Sequence, residues 1–140
     1  IADPGAAVVE LCHKKGIQVI PHTGASSIIL ALIGSGFNGQ QFTFHGYLPI
    51  DRSERRKAIK IMESTHKDTG YTQIFMETPF RNEKLFEELV QVCHPQTRLC
   101  IARNITTEKE LIKTLSIQDW KKKKPGLHKQ PCIFAIGNLL

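Results

Sequence analysis

The sequence predicts an α/β protein, and three observations carry that prediction. Short apolar runs such as Ile17 to Pro21, Thr72 to Glu77, Arg98 to Arg103 and Pro131 to Ile136 alternate with stretches of helical periodicity. Glycines, prolines and cap residues fall between the two kinds of segment. The hydrophobic fraction, 41% of 140 residues, suffices for a core at ordinary one-domain length.

Taken in order, Asp3 and Pro4 read as the cap and first position of a helix. Val8, Leu11 and Cys12 recur in it at helical spacing, and Lys14, Lys15 and Gly16 form its basic last turn and left-handed stop. Ile17 to Pro21 follows as a buried strand, and Ser26 to Ile33 as a helix after a loop of small residues. Gly34 to Gln41 holds three glycines in eight positions and is the expected domain boundary. Beyond it, Phe42 to Leu48 is strand-like, Ser53 to about His66 a basic helix, and Thr72 to Glu77 a strand. Thr78-Pro79 opens a helix whose core stripe is Leu85, Phe86, Leu89, Val90 and Cys93. Arg98 to Arg103 is a strand, Glu110 to Leu115 a weaker one, Ile117 to about Lys122 a helical turn, and Pro131 to Ile136 a last strand. Residues 37–140 are thus expected to form a βαβαββ(α)β domain, and residues 1–36 the tail of a different α/β unit. Ile1 to Gly5 reads as the end of a ligand loop whose earlier half lies outside the chain; the alternative is a start left by a removed leader or tag.

Composition narrows the function classes. No apolar run approaches the roughly 20 residues that span a bilayer, and no charged leader with an apolar stretch is present, so a soluble cytoplasmic protein is expected. Cys12, Cys93, Cys100 and Cys132 are scattered through apolar segments without a C-x-x-C pair, and read as buried thiols rather than disulfides or zinc ligands. The six histidines show no paired spacing, so no metal site is expected. The net charge of +6 is concentrated in Arg52, Arg55, Arg56, Lys57 and Lys60 and in Lys121 to Lys124. These clusters either attract a polyanion such as nucleic acid or are a solvated helix face and loop. Aromatic residues among basic ones, as on a single-strand platform, are confined to Phe80 beside Arg81.

Three places suit chemistry, each where a strand meets a loop at the sheet's carboxyl edge. Pro21-His22-Thr23-Gly24-Ala25-Ser26-Ser27 is either a ligand loop with free amides or a plain turn capped by Ser26. It lacks the second glycine of a G-x-S-x-G elbow and matches neither G-x-G-x-x-G nor Walker A. In Glu77-Thr78-Pro79-Phe80-Arg81, the carboxylate and guanidinium either position a substrate hydroxyl and phosphate or form a local ion pair. Arg103-Asn104 ends a strand and carries the same two readings.

Several segments then form an ordered series. They are Ile1 to Gly5, Val19-Ile20-Pro21, Gly24-Ala25-Ser26-Ser27, Ala31-Leu32, Ser35-Gly36-Phe37, His45-Gly46-Tyr47-Leu48-Pro49, Glu54-Arg55-Arg56, Glu77 to Arg81 and Ala102-Arg103. Nearly end to end, the series resembles the small-subunit ribosomal RNA (cytidine-2′-O)-methyltransferase family of the tetrapyrrole methylase superfamily. The resemblance implies a two-domain α/β protein holding S-adenosylmethionine between its domains, usually as a homodimer, with ribosomal RNA of the small subunit as partner. Residues 1–36 would be the remnant of the cofactor domain and 37–140 a mixed-sheet substrate domain. The family's first strand, glycine-rich loop and Gly-Thr-Pro turn would precede Ile1, so the chain by itself is expected to be inactive. The resemblance also implies cofactor contacts at Ile1, Ser26, Ser27, Met76, Ala102 and Cys132, several through backbone groups. Glu77, Arg81 and Arg103 are the candidate catalytic residues, Glu77 orienting or deprotonating a ribose hydroxyl and the two arginines holding phosphate.

The chain also departs from the family. The Pro-Gly-Pro-Ser of the cofactor loop is His22 to Ser26 here, and the Arg-Glu-Leu-Thr-Lys after the third strand is Arg103-Asn104-Ile105-Thr106-Thr107, losing an acid and a base. These changes weaken the expected substrate more than the superfamily. A porphyrinoid methylase and a non-catalytic RNA- or partner-binding module are the rival readings; the basic helix favours RNA over a porphyrinoid.

Overall fold

Alternate residues of the central strands carry two different sets of side chains, and this alternation builds a core on each face of one sheet. A computed structural model describes residues 5–139. Its elements are α1 (Ala6–Lys14), α2 (Ser27–Ser35), β1 (Phe42–Tyr47), α3 (Arg52–Thr69), β2 (Thr72–Met76), α4 (Asn82–Val92), β3 (Arg98–Arg103), β4 (Leu111–Ser116), α5 (Ile117–Trp120) and β5 (Cys132–Gly137). The strands form one sheet in the order β1-β2-β5-β3-β4, with β1 and β2 parallel and every other neighbour antiparallel. The predicted βαβαββ(α)β series is present as a mixed sheet.

On one face Phe75, Leu99, Ile101, Phe134 and Ile136 meet Ile59 and Met62 of α3, Leu85 and Leu89 of α4, and Trp120 of α5. The Phe75 and Phe134 rings stack with centroids 5.7 Å apart, and Trp120 Nε1 donates to Leu99 O at 2.8 Å. On the other face Ile74, Cys100, Ala102, Ile133 and Ala135 lie under Ala31 and Leu32 of α2. The small residues there let the helix sit close. Gly34 has the same use, since a Cβ on it would lie 2.8 Å from Cγ2 of Ile112.

The segment expected to be a boundary is therefore partly structural. Gly34 and Ser35 finish α2, Gly36 caps it at φ +74°, and Phe37 is buried at 5% exposure against Gly137. Thus α2, on the N-terminal side of the expected boundary, covers the sheet of residues 37–140.

Other expectations need correction. Ile17 to Pro21 is not a buried strand: Ile17 and Ile20 are 54% and 64% exposed and the segment has no regular structure. A strand needs a neighbour for its backbone groups, and none pairs with it among the described residues. α1 forms and stops at a left-handed Gly16 as expected, but no residue of it is buried, and Cys12 is half-exposed while the other three cysteines are buried. Its predicted start at Asp3 and Pro4 lies outside the described residues.

The basic helix α3 is longer than expected at both ends: Asp51 caps its start, accepting from Glu54 N at 2.9 Å, and the left-handed Gly70 stops it only after Thr69. Three of the five residues in its positive cluster have acidic partners. Arg55 is 3% exposed and forms a two-bond fork with Glu88 of α4, Nε to Oε2 and Nη2 to Oε1, each 2.7 Å. Its Nη1 also donates to Pro49 O and Ile50 O, which ties the β1–α3 turn to both helices. Lys57 pairs with Glu54 at 2.8 Å, and Arg52 approaches Glu88 at 3.7 Å.

Candidate active site

The parallel pair β1–β2 and the antiparallel β3 all deliver their carboxyl ends to one edge, where β5 begins. Register makes the meeting specific: Met76 of β2 and Ala102 of β3 flank Ile133 of β5 from its two sides. A cleft of about 280 Å³ opens there, lined by Ser27, Tyr47, Met76, Glu77, Ala102, Asn104, Cys132 and Ile133 among others. Five sequence-predicted residues (Ser27, Met76, Glu77, Ala102 and Cys132), drawn from four elements, therefore share one cavity.

Glu77 is 4% exposed, and both of its hydrogen bonds fall on Oε1, from Thr78 N at 2.7 Å and Arg81 Nη2 at 2.6 Å. Its Oε2 accepts no hydrogen bond among the described residues. Arg81 is the residue just before α4 rather than within its first turn, because Thr78 to Arg81 form a turn closed by Arg81 N to Thr78 O at 2.9 Å. Its Nε also donates to Thr78 Oγ1 at 3.2 Å. The ion pair is the local one foreseen, and it fixes the carboxylate at the cleft wall. Arg81 itself does not line the cleft.

Cys132 is a neutral wall. Burial pushes its thiol up to about 12 despite the Arg103 charge nearby, so the group stays protonated and serves as a weak donor toward Gln130 O at 3.4 Å. Arg103 stands on the adjoining depression of about 380 Å³ instead, where Nη1 donates to Pro125 O at 2.6 Å and Gly126 O at 2.9 Å. It holds the loop before β5. Ser26 precedes α2 in extended backbone but makes no side-chain cap, and it lies outside the cleft lining. Ile1 lies outside the described residues.

Sequence reading missed Tyr47, Ile133, Ile105, Thr107 and Pro131. Tyr47 and Ile133 belong to the cleft through strand pairing, and Ile105, Thr107 and Pro131 through the loops that follow β3 and precede β5, a meeting no local pattern reveals. Asn104 offered a local signal, an Asn directly after a strand: its φ is +50°, its Nδ2 donates to Gln130 Oε1 at 2.7 Å, and its N to Pro131 O at 3.0 Å. Thr106 at φ +68°, a strained angle for a β-branched residue, holds the same rim, its N donating to Glu110 Oε2 at 2.6 Å. A larger groove of about 550 Å³, bordered by Lys60, Glu63, His66 and His94, lies elsewhere and contains none of the predicted cofactor or catalytic residues. Among the described residues there is no group of three His, Cys, Asp or Glu side chains able to hold a metal, and no helix long and apolar enough to cross a membrane.

This mixed sheet with its flanking helices has the fold of the tetrapyrrole methylases. Solved structures share it: the methyltransferase CobJ (TM-score 0.59, 17% identity, 95% of this chain and 58% of that one) and a putative diphthine synthase from Entamoeba histolytica (TM-score 0.65, 14% identity, 98% and 61%). Cobalt precorrin-4 methyltransferase, CbiF, is a third (TM-score 0.56, 11% identity, 96% and 58%). No family model matches the chain.

By sequence the chain is a homologue of ribosomal RNA small subunit methyltransferase I. It is 32% identical over 139 residues to that protein of Halalkalibacterium halodurans, covering 99% of this chain and 47% of the relative. To that of Escherichia coli O157:H7 it is 33% identical over 112 residues, covering 80% and 38%. The chain spans about half the length of the curated relatives it matches.

Proposed function

We propose that the chain is the substrate-side part of an S-adenosylmethionine-dependent methyltransferase acting on the 2′-hydroxyl of small-subunit ribosomal RNA. The observation that carries this reading is the convergence of Ser27, Met76, Glu77, Ala102 and Cys132 on one cleft in a chain homologous to named ribosomal RNA methyltransferases. Residues 1–36 are read as the end of the cofactor domain, and a homodimeric, cytoplasmic parent belongs to the same reading.

The cleft suits such a cofactor. Ala102 leaves room for close backbone approach, Met76 and Ile133 give an apolar wall, and the Cys132 thiol stays uncharged, so no thiolate faces an alkylating group. Met76, Ala102 and Cys132, with Ser26 and Ser27 at the start of α2 and Ile1, would hold it. When bound, the cofactor supplies an electrophilic methyl group already activated by a sulfonium charge. The chain's residues supply alignment and exclusion of water. Glu77, steadied through Oε1 by Arg81 and Thr78 N, has Oε2 free to accept the proton of a ribose hydroxyl. Arg81 is its positioning partner, and Arg103 sets the loop that borders the cleft.

The test is transfer of labelled methyl groups to small ribosomal subunits lacking the modification, by the parent protein that contains this chain. Label is expected in ribose, with Glu77→Gln reducing kcat about 100-fold or more. A porphyrinoid as the only acceptor would replace the reading, and no transfer together with no cofactor binding would favour a non-catalytic module.

A further inference from the structure

A large aromatic ring stands in water beside the cleft. Phe80 is 72% exposed, two residues from the turn's Thr78 and three from Glu77. Its backbone is nevertheless fixed from both sides by the loop before β5: Lys129 N donates to Pro79 O at 3.0 Å, and Asn82 Nδ2 donates to Gln130 O at 2.6 Å. Asn82 is fully buried, and Lys129 adopts φ +55°, a conformation a lysine takes only when its surroundings impose it. That geometry carries the Lys129 ammonium to 6.0 Å from the Phe80 ring centroid. The same loop begins with the exposed run Lys121 to Lys124.

A solitary exposed phenylalanine has no significance in itself. This one is different in being mounted on a cross-braced pair of loops, next to the proposed catalytic carboxylate, with a cation at its face and lysines along the loop. We infer that Phe80 is a stacking platform for an unpaired nucleotide base, and that Lys129 holds the adjoining phosphate. This rests on the RNA reading above and sharpens it: the substrate is a nucleotide out of the helical stack, whose base lies on Phe80 while its ribose reaches Glu77. Stacking is tolerant of base identity, and a charged partner adds a salt-dependent share.

The experiment is a fluorescence-anisotropy titration of the protein with a single-stranded RNA oligonucleotide and with a duplex of equal length, over a range of salt. Phe80→Ala is expected to weaken single-strand binding about 5- to 100-fold. Phe80→Trp should retain it, Phe80→Leu should not rescue it, and duplex binding should be unchanged. Lys129→Met should lower the slope of log affinity against log salt by about 0.7. Wild-type strength in Phe80→Ala or Phe80→Leu overturns the stacking role while leaving the RNA reading intact. Absence of binding to either RNA by the wild-type protein overturns the RNA reading, and the platform with it.

Discussion

At the residue scale, the most consequential groups are those that the sequence marks as charged or reactive and the fold reassigns. Arg55 belongs to a run of basic residues, yet it is buried and spent on Glu88. Removing one partner leaves a buried charge, so Glu88→Gln should cost about 3–5 kcal/mol in urea unfolding, while an exposed pair such as Glu54–Lys57 should be worth under about 1 kcal/mol. Hydrogen bonding from Arg55 holds the Glu88 carboxyl below its ordinary value of 4.5. The unfolded chain therefore takes up this proton first as pH falls. The contribution is complete above about pH 4.5 and is lost progressively below it, and Glu88→Gln should flatten that part of the stability profile. Among the thiols, burial pushes Cys100 up to about 11 and Cys132 up to about 12, and lifts Cys93 still further. Alkylation of the native protein at pH 8 should therefore mark Cys12 first, and Cys12→Ser should leave only slow, unfolding-limited labelling.

At the scale of elements, the strands and helices of residues 42–137 were legible because their signals are local: alternation, a cap, a glycine stop. Gly36 and Gly70 end α2 and α3 at φ +74° as a helix stop requires. What was not legible is what depends on a neighbour. Ile17 to Pro21 has the composition of a strand without a strand beside it among the described residues, and Gly34 reads as a linker but serves close approach of α2 to β4. Gly137 repeats the lesson on β5, since a Cβ there would lie 2.5 Å from the ring of Phe37. Gly137→Ala should destabilise by about 1–3 kcal/mol, read as a lower thermal midpoint, and Phe37→Leu in the same chain should recover part of the loss.

For the whole molecule, the site was half legible. Ser27 and Glu77 were marked by their strand-to-helix junctions, Met76, Ala102 and Cys132 by resemblance alone, and all five share a cleft, whereas Ile133, on which the register of β2 and β3 converges, could come only from the sheet order. Arg103 shows the opposite case, an edge position whose guanidinium turns to the Pro125–Gly126 loop. The central claim is that the carboxyl edge of this sheet forms one wall of an S-adenosylmethionine site. The most direct measurement is amide-resolved NMR of the chain titrated with S-adenosylmethionine into the millimolar range, where a half-site still registers. Shifts confined to Ser26–Ser27, Met76–Glu77, Ala102–Thr107 and Cys132–Ile133 are predicted, and Ala102→Leu should remove them. Shifts clustered around Lys60, His66 and His94 instead, or none at all, would contradict the account.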